Sequence, residues 1–283
     1  MIFITGATGR VGAAIIAALG PEIEVRGALR DKTGPDGRTQ WVRFDFADPA
    51  GFADALAGIN AVFLMRPPQI TKAATFAPFL AAMQERQIRR IVMLSVAGAD
   101  RNPLIPHHAI EKLVKTPDFD WTILRPSDFM QNLETVHADG IRYFNEIAVP
   151  AGNGRSAFID VADIGAVGAR VLVDPGHAGM AYHLTGPQAL SFGDVAAILT
   201  EVLGRPITYR SAGILRFVRD QTAVGTPLSM ALVMSALYTI QRFGGAAAVT
   251  PDLEQVLHRK PTDFRSYAAR QRGIWVAAEQ ARI

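Results

Sequence analysis

Three glycines near the start of the chain have the spacing of a phosphate-binding turn. Gly6, Gly9 and Gly12 recur every third residue, between an apolar β-forming run at 1–5 and an amphipathic stretch at 11–19. Such a turn lets a pyrophosphate approach the backbone, and the following helix offers free amide donors and the positive end of its dipole. The pattern predicts a dinucleotide site, although its spacing differs from G-x-G-x-x-G. The alternative is a turn that only packs helix on strand.

Two arginines point to the type of dinucleotide. Arg30 follows the second predicted strand, at 24–29, where NAD-specific sites commonly carry an acidic residue. A guanidinium matches a ribose 2′-phosphate and favours NADP(H). Arg10, inside the glycine turn, can add a second positive charge, but either arginine can also be an ordinary surface residue. Asp31 can bind a 2′-hydroxyl, so NAD(H) stays open.

Two polar pairs stand one helical turn apart in a helix predicted to run from about residue 107 to the residue before Pro117. They are His107 with Glu111, and His108 with Lys112. On a helical wheel, the apolar stripe contains Ala109, Ile110, Leu113 and Val114. The first pair lies at the border of this stripe, and the second pair lies opposite it, together with Lys115. We therefore expect His107 to be the catalytic proton donor, with Glu111 orienting it or raising its pKa. The alternative is that His107 has a structural role only. A metal site at His107 and Glu111 is not indicated, because the sequence shows no third ligand for it.

Composition narrows the class of protein. The chain has 283 residues, of which 49% are hydrophobic and 19% charged, enough for one large α/β domain or two lobes. The absence of cysteine excludes disulfides and thiolate chemistry, and a net charge of +3 is too small to indicate nucleic acid. The uncharged stretch at 228–240 is shorter than the roughly 20 residues of a membrane span. We expect a cytoplasmic protein that acts on small molecules, and nothing indicates an oligomeric state.

Apolar runs alternate with helical patterns over the first half of the chain. Strands are predicted at 1–5, 24–29, 41–44, 61–65, 91–94 and 121–124. Unbroken apolar strands separated by helices indicate a parallel sheet covered on both faces, which is an α/β Rossmann fold.

The alternation loosens after residue 132. The patterns predict an extended segment at 158–161, a helix capped by Asp163, a strand at 182–184 and a helix at 191–203 capped by Ser191. The rest is mainly helical. We expect a dinucleotide-binding domain at 1–150 and a smaller, mixed, mainly helical substrate lobe at 151–283, with residues around 158–185 returning to the sheet.

The motifs resemble those of the NmrA-like atypical short-chain dehydrogenase/reductases over essentially the whole chain. The matching segments are TGATGRVG, NAVFLMRPP, RIVMLSVAGAD, HHAIE, WTILRPSDFMQN, FIDVADIGAVG and YHLTGP, together with Arg30. The quinone-reductase-like and ergot-alkaloid festuclavine-dehydrogenase-like branches are nearest. The resemblance implies a Rossmann sheet, a C-terminal substrate lobe and NADP(H). The resemblance implies that Asp45 and Phe46 lie beside the adenine. The full set of expected cofactor-binding residues is Gly6, Thr8, Gly9, Arg10, Val11, Gly12, Arg30, Asp45, Phe46, Met65, Arg66, Pro67, Ser95 and Pro126.

The chain departs from the larger superfamily by lacking its Tyr-x-x-x-Lys pair after the fifth strand. Hydride transfer itself is the cofactor's chemistry. The loss therefore favours acceptors that need little protonation, such as a quinone, an iminium or imine, an enone or a dye-like molecule. Phe129, Asn132, Met234 and Tyr238 are expected to bind this substrate, with core packing as the alternative. A redox sensor without turnover is the second hypothesis for function, and an isomerase that keeps its dinucleotide is the third.

Overall fold

The computed structural model describes residues 1–30, 34 and 37–276, which form two compact units. Unit 1 comprises Met1–Pro126, Val161–Leu184 and Pro251–Arg259. Unit 2 comprises Ser127–Asp160, Thr185–Thr250 and residues 260–276. This division differs from the expected boundary at residue 150. The chain leaves unit 1 directly after the sixth strand, and the segment at 161–184 belongs to unit 1 because its strand extends the same sheet.

The described chain contains the following strands and helices. The strands are Ile2–Ile4 (β1), Val25–Leu29 (β2), Gln40–Arg43 (β3), Ala61–Met65 (β4), Arg90–Leu94 (β5), Asp120–Pro126 (β6), Glu146–Val149 (β7), Arg155–Ser156 (β8), Met180–Leu184 (β9), Leu190–Ser191 (β10) and Thr208–Ser211 (β11). The α-helices are Arg10–Ala18 (α1), Phe52–Leu56 (α2), Ala77–Glu85 (α3), Pro106–Val114 (α4), Ala138–Phe144 (α5), Val161–Val173 (α6), Phe192–Leu203 (α7), Ile214–Ala223 (α8), Leu228–Arg242 (α9), Asp252–Leu257 (α10) and Phe264–Arg270 (α11). Short 3-10 helices lie at Pro49–Gly51, Ala73–Phe76, Met130–Glu134 and Arg272–Ile274.

Unit 1 is built on a seven-stranded sheet in the order β3-β2-β1-β4-β5-β6-β9. Every neighbouring pair is parallel. The first six strands follow the doubly wound Rossmann order, in which ligands bind beyond the carboxyl ends of the strands. The predicted fold class is therefore confirmed. A parallel sheet is covered on both faces, which explains why β1, β4 and β5 are almost wholly apolar and buried.

Aromatic side chains fill the core on one face of this sheet. Phe44 lies 5.1 Å from Phe3 and 5.1 Å from Phe79, centroid to centroid, in edge-to-face contacts. On α6, Gly165 permits a close approach to α1, because a Cβ atom there would lie 2.6 Å from the Cβ of Ala14.

The segment predicted to be extended, 158–161, forms no strand in the described chain. Its pairing is limited to an isolated bridge between Ile159 and Phe129. Helix α6 then begins at Val161, so Asp163 lies in its first turn and does not cap it. The Asp163 carboxylate is buried and accepts a 2.7 Å hydrogen bond from Arg259.

Unit 2 contains two small sheets and five α-helices. Strands β8 and β10 pair antiparallel, and β7 and β11 pair parallel. Helix α7 begins with the predicted capping box, in which Ser191 and Asp194 bond each other's backbone amides. The core is closed by Tyr267 and Trp275, both fully buried.

Helix α9 carries the uncharged stretch singled out in the sequence. Its Ser235 face is buried, whereas Leu232, Val233 and Leu237 are each more than half exposed. Among the described residues, no helix combines the length and the apolar character required to cross a bilayer.

Candidate active site

The expected cofactor-binding residues of unit 1 gather at one edge of the sheet. They stand at, or directly after, the carboxyl ends of β1 through β6, and parallel strands present those ends on the same side. Hydrogen bonds between neighbouring strand ends tie this edge together. The Thr5 hydroxyl donates to the carbonyl of Phe63 at 3.0 Å and accepts from the amide of Met65 at 2.7 Å. The structure thus places side by side residues that lie far apart in sequence.

The glycine turn after β1 depends on its glycines for its backbone conformation and its close contacts. Gly6 has a φ of +63°, and a Cβ atom there would lie 2.1 Å from Cε of Met65. A Cβ on Gly12 would lie 2.4 Å from the carbonyl oxygen of Gly6, whereas one on Gly9 would lie 3.1 Å from that oxygen. The lack of a side chain at Gly12 therefore lets α1 pack on the turn, and the lack of one at Gly9 leaves the backbone on the turn's surface uncovered. Helix α1 begins after Gly9 with no side chain capping it, so its first amides are available to an anion.

The basic groups expected near the 2′-phosphate lie on the surface of unit 1. Arg30 is exposed directly after β2, and its guanidinium donates to Oε1 of Gln69 at 3.0 Å. Arg10 is the exposed first residue of α1, after the exposed Thr8, while Val11 is buried. Asp31, the alternative ribose ligand, lies outside the described residues.

The two residues expected beside the adenine differ in exposure. Asp45 is exposed, and its carboxylate accepts from the amide of Ala47 at 2.9 Å. Phe46 is only 4% exposed, and its ring lies 4.7 Å from the ring of Phe76. The Phe46 side chain therefore belongs to the aromatic core.

The loop after β4 is ordered by one arginine. The Arg66 guanidinium donates to the carbonyl oxygens of Pro67 at 3.2 Å, Pro68 at 3.1 Å and Ile70 at 2.8 Å. These bonds hold the backbone from Pro67 to Ile70 against the Arg66 side chain. At the end of β6, the carbonyl oxygen of Pro126 accepts from the amide of Ala97 at 3.1 Å.

His107 differs from its expected role as a charged proton donor. Nε2 of His107 accepts a 3.4 Å hydrogen bond from Nε of Arg66. Burial and the Arg66 charge lower the pKa of His107 to about 4, against a smaller opposing effect of Glu111. Glu111 does raise the pKa of His107, as expected, but burial and Arg66 together outweigh its effect. The Nδ1 atom of His107 is buried and has no hydrogen-bond partner among the described residues.

Glu111 belongs to a buried ion pair instead. Its carboxylate accepts two hydrogen bonds from Arg125, at 3.0 and 2.6 Å, one from the Ser95 hydroxyl at 2.6 Å and one from Lys115 at 3.0 Å. Burial alone would raise the pKa of Glu111, but these bonds prevail and lower it to about 2. The helical wheel missed this arrangement, because Arg125 approaches from β6. It also misplaced Ala109, which is exposed.

A cavity of about 860 Å³ lies within unit 2. Three of the four expected substrate residues, Asn132, Met234 and Tyr238, line it. Phe129 does not belong to this lining and pairs with Ile159. The volume is that of a small-molecule pocket.

Two polar residues of the cavity wall were missed by sequence reasoning. His137 is buried, and its Nε2 lies 2.8 Å from the Tyr238 hydroxyl. Burial lowers the pKa of His137 to about 4. Burial and the nearby charge of Asp128 both raise the pKa of the Tyr238 hydroxyl. Asp128 also lines the cavity, and burial raises the pKa of its carboxyl group, against a hydrogen bond from Ser156 that lowers it. Over the described ranges, no cluster of His, Asp and Glu is placed to hold a metal ion.

Comparisons with known proteins match the whole chain. A family model described as NAD(P)H-binding matches residues 6–175. An NAD(P)H azoreductase of Xenophilus azovorans is 30% identical, over 98% of this chain and 100% of its own. A festuclavine dehydrogenase of Aspergillus fumigatus is 30% identical, over 79% of this chain and 78% of its own. The fold is shared with an Escherichia coli NADPH-dependent quinone oxidoreductase solved with NADPH, at a TM-score of 0.85, 24% identity and coverage of 96% and 99% of the two chains.

Proposed function

Because the chain belongs to the NAD(P)H-binding family of atypical short-chain dehydrogenase/reductases, and is an NAD(P)H-dependent oxidoreductase of small molecules, we propose that it reduces a conjugated organic acceptor. The acceptor classes are a quinone, an imine or iminium, an enone and a dye-like molecule. NADP(H) is the preferred cofactor in this proposal. The relatives' own names, azoreductase and quinone oxidoreductase, support acceptors of this kind.

The cofactor fits the edge of unit 1. The amides at the start of α1 and the bare backbone at Gly9 suit a pyrophosphate, and Arg30 supplies a guanidinium for a 2′-phosphate. When bound, NADPH supplies a hydride from its nicotinamide ring. The protein's part is to hold the dinucleotide on the glycine turn and to order the loop at Pro67 through Arg66.

One observation supports this class of acceptor: neither of the two residues expected to take part in proton donation at this edge, His107 and Glu111, is placed to supply a proton readily. His107 is neutral at pH 7 because its pKa is about 4, and Glu111 is ionised and committed to Arg125. A simple ketone needs a proton as its oxygen gains charge, whereas a quinone or an iminium accepts hydride readily without one. The acceptor is bound by the cavity of unit 2, through Met234, Asn132 and Tyr238.

The experiment is NADPH oxidation measured across a panel of quinones, cyclic imines, enones, azo dyes and simple ketones. We expect turnover with at least one conjugated acceptor and none with simple ketones. Met234→Ala should change acceptor preference without altering NADPH affinity, and the exposed Leu232→Ala on the same helix is the matched control.

The second candidate function is a redox sensor. It is favoured by the same observation, that His107 is not placed to supply a proton readily. It predicts no turnover on any acceptor, together with different affinities for NADP⁺ and NADPH.

A further inference from the structure

We propose that the cavity of unit 2 selects acceptors that carry a delocalised positive charge, with Asp128 as the group that pairs with that charge. The inference rests on the proposed function and narrows its acceptor class to iminium ions and other conjugated cations.

The position of Asp128 carries the argument. Its carboxyl group lies deep in unit 2, yet the residue keeps accessible surface and lines the cavity. Among the described residues, this carboxylate makes one side-chain hydrogen bond, in which its Oδ2 accepts from the Ser156 hydroxyl at short distance. Its other oxygen is therefore left for a ligand. A carboxylate enclosed by apolar walls is costly unless it is paired, so the site favours a cation.

The other charged groups of the cavity wall do not neutralise Asp128. Arg210 is the cation of the described lining, and it is committed to Glu146 through bonds of 2.7 and 2.8 Å. Asp139 and Asp220 add further negative charge, although Asp220 pairs with arginines outside the lining. The cavity as a whole is acidic.

Aromatic rings give this acidic cavity a preference for flat cations. The Tyr238 ring packs edge-to-face on Phe192 at 5.8 Å and on Phe217 at 5.4 Å, and Phe158 lies 5.6 Å from Phe192. All four line the cavity. Ring faces attract cations, and they do so most strongly away from water. A delocalised cation thus finds both apolar contact and a counter-charge.

Proton linkage gives the proposal a second signature. Burial raises the pKa of Asp128, so the empty site holds a proton more tightly than an exposed aspartate does. A bound cation favours the carboxylate and expels that proton, so cation binding tightens as pH rises through the pKa of Asp128. The facing groups Tyr238 and His137 stay neutral near pH 7, because burial raises the pKa of the first and lowers that of the second to about 4. The Glu146–Arg210 pair, Asp139 and Asp220 are the remaining charges that face this cavity.

The test compares N-methylquinolinium, a flat cation, with uncharged quinoline of nearly the same shape. Their affinities for the full-length protein with NADP⁺ are measured by isothermal titration calorimetry between pH 6 and 9. In Asp128→Asn we expect N-methylquinolinium to bind roughly 10- to 150-fold more weakly and quinoline to change less than about two-fold. Asp139→Asn is the matched control, because it removes a carboxylate from the same wall at an exposed position.

The wild-type protein provides a measurement that does not depend on the variant folding. At pH 8 to 9 the wild type should bind N-methylquinolinium more tightly than quinoline, because the carboxylate pairs with the cation alone. Equal losses for both probes, an unchanged cation affinity in a folded Asp128→Asn variant, or equal affinities of the wild type for the two probes would each overturn the inference. Wild-type NADPH oxidation across charged and uncharged conjugated acceptors tests the proposed reductase separately. No turnover of any acceptor would overturn the reductase, whereas turnover without a preference for cations would overturn this inference alone.

Discussion

Replacing Glu111 with glutamine tests whether this residue stabilises the fold or serves the chemistry. A carboxyl group whose pKa falls from an ordinary 4.5 to about 2 gains roughly 3 kcal/mol on folding. Glu111→Gln removes that charge and leaves Arg125, which is 5% exposed, without its partner. Breaking a buried ion pair from one side typically costs about 3–5 kcal/mol. We therefore expect the free energy of unfolding to fall by about that amount at pH 7.

The assay is urea denaturation followed by circular dichroism. The pKa of Glu111 is lower in the folded state, so its contribution is complete above the unfolded value near 4.5 and is lost as pH falls toward 2. The difference in the free energy of unfolding between wild type and Glu111→Gln should thus become smaller below about pH 4. Glu85→Gln, at an exposed surface pair with Arg86, is the matched control and should change the unfolding energy by less than about 0.5 kcal/mol. A loss below 1 kcal/mol for Glu111→Gln, with NADPH turnover abolished, would contradict this reasoning and restore a chemical role for Glu111.

Four further variants test the cofactor and acceptor assignments. Arg30→Ala should weaken NADPH binding roughly 10- to 150-fold and leave NADH binding nearly unchanged, and equal losses measured by fluorescence titration would refute the 2′-phosphate contact. Gly9→Val should keep a folded protein that no longer binds NADPH, whereas Gly12→Val should lower the melting temperature sharply, because its Cβ would lie 2.4 Å from a backbone oxygen. His107→Ala should reduce kcat for a quinone or an iminium by much less than the roughly 100- to 10,000-fold expected of a general acid. A loss in that range, absent from His108→Ala, would show that His107 supplies a proton after all.

The patterns that predicted the fold are those that depend on local sequence. The six predicted strands of the first half each fall on one of β1 to β6, and the Ser191–Asp194 capping box marked the start of α7 correctly. The resemblance to the NmrA-like reductases is likewise confirmed by the family model and the relatives. The segment at 158–161 was predicted only to be extended, and it forms no strand because a strand needs a neighbour that pairs along it, whereas Ile159 has a single bridge partner.

The site was harder to predict because its polar contacts join distant elements. A helical wheel considers one helix only, so it related Glu111 to His107 and missed Arg125, which approaches from β6. His137 and Tyr238 stand 101 residues apart in sequence. No local pattern separates either of them, or a buried carboxylate such as Asp128, from an ordinary polar residue.

The most direct measurement of the central claim is the transfer of a deuterium label from C4 of the reduced nicotinamide to a conjugated iminium acceptor. The acceptor is incubated with wild-type protein and NADPH deuterated at that carbon, on one face or the other, and the product is analysed by mass spectrometry and NMR. We expect one of the two labelled faces to deliver deuterium to the acceptor carbon, with one NADPH consumed for each product molecule. Recovery of unlabelled acceptor and intact NADPH, from a protein that still binds NADPH, would contradict it and favour the sensor.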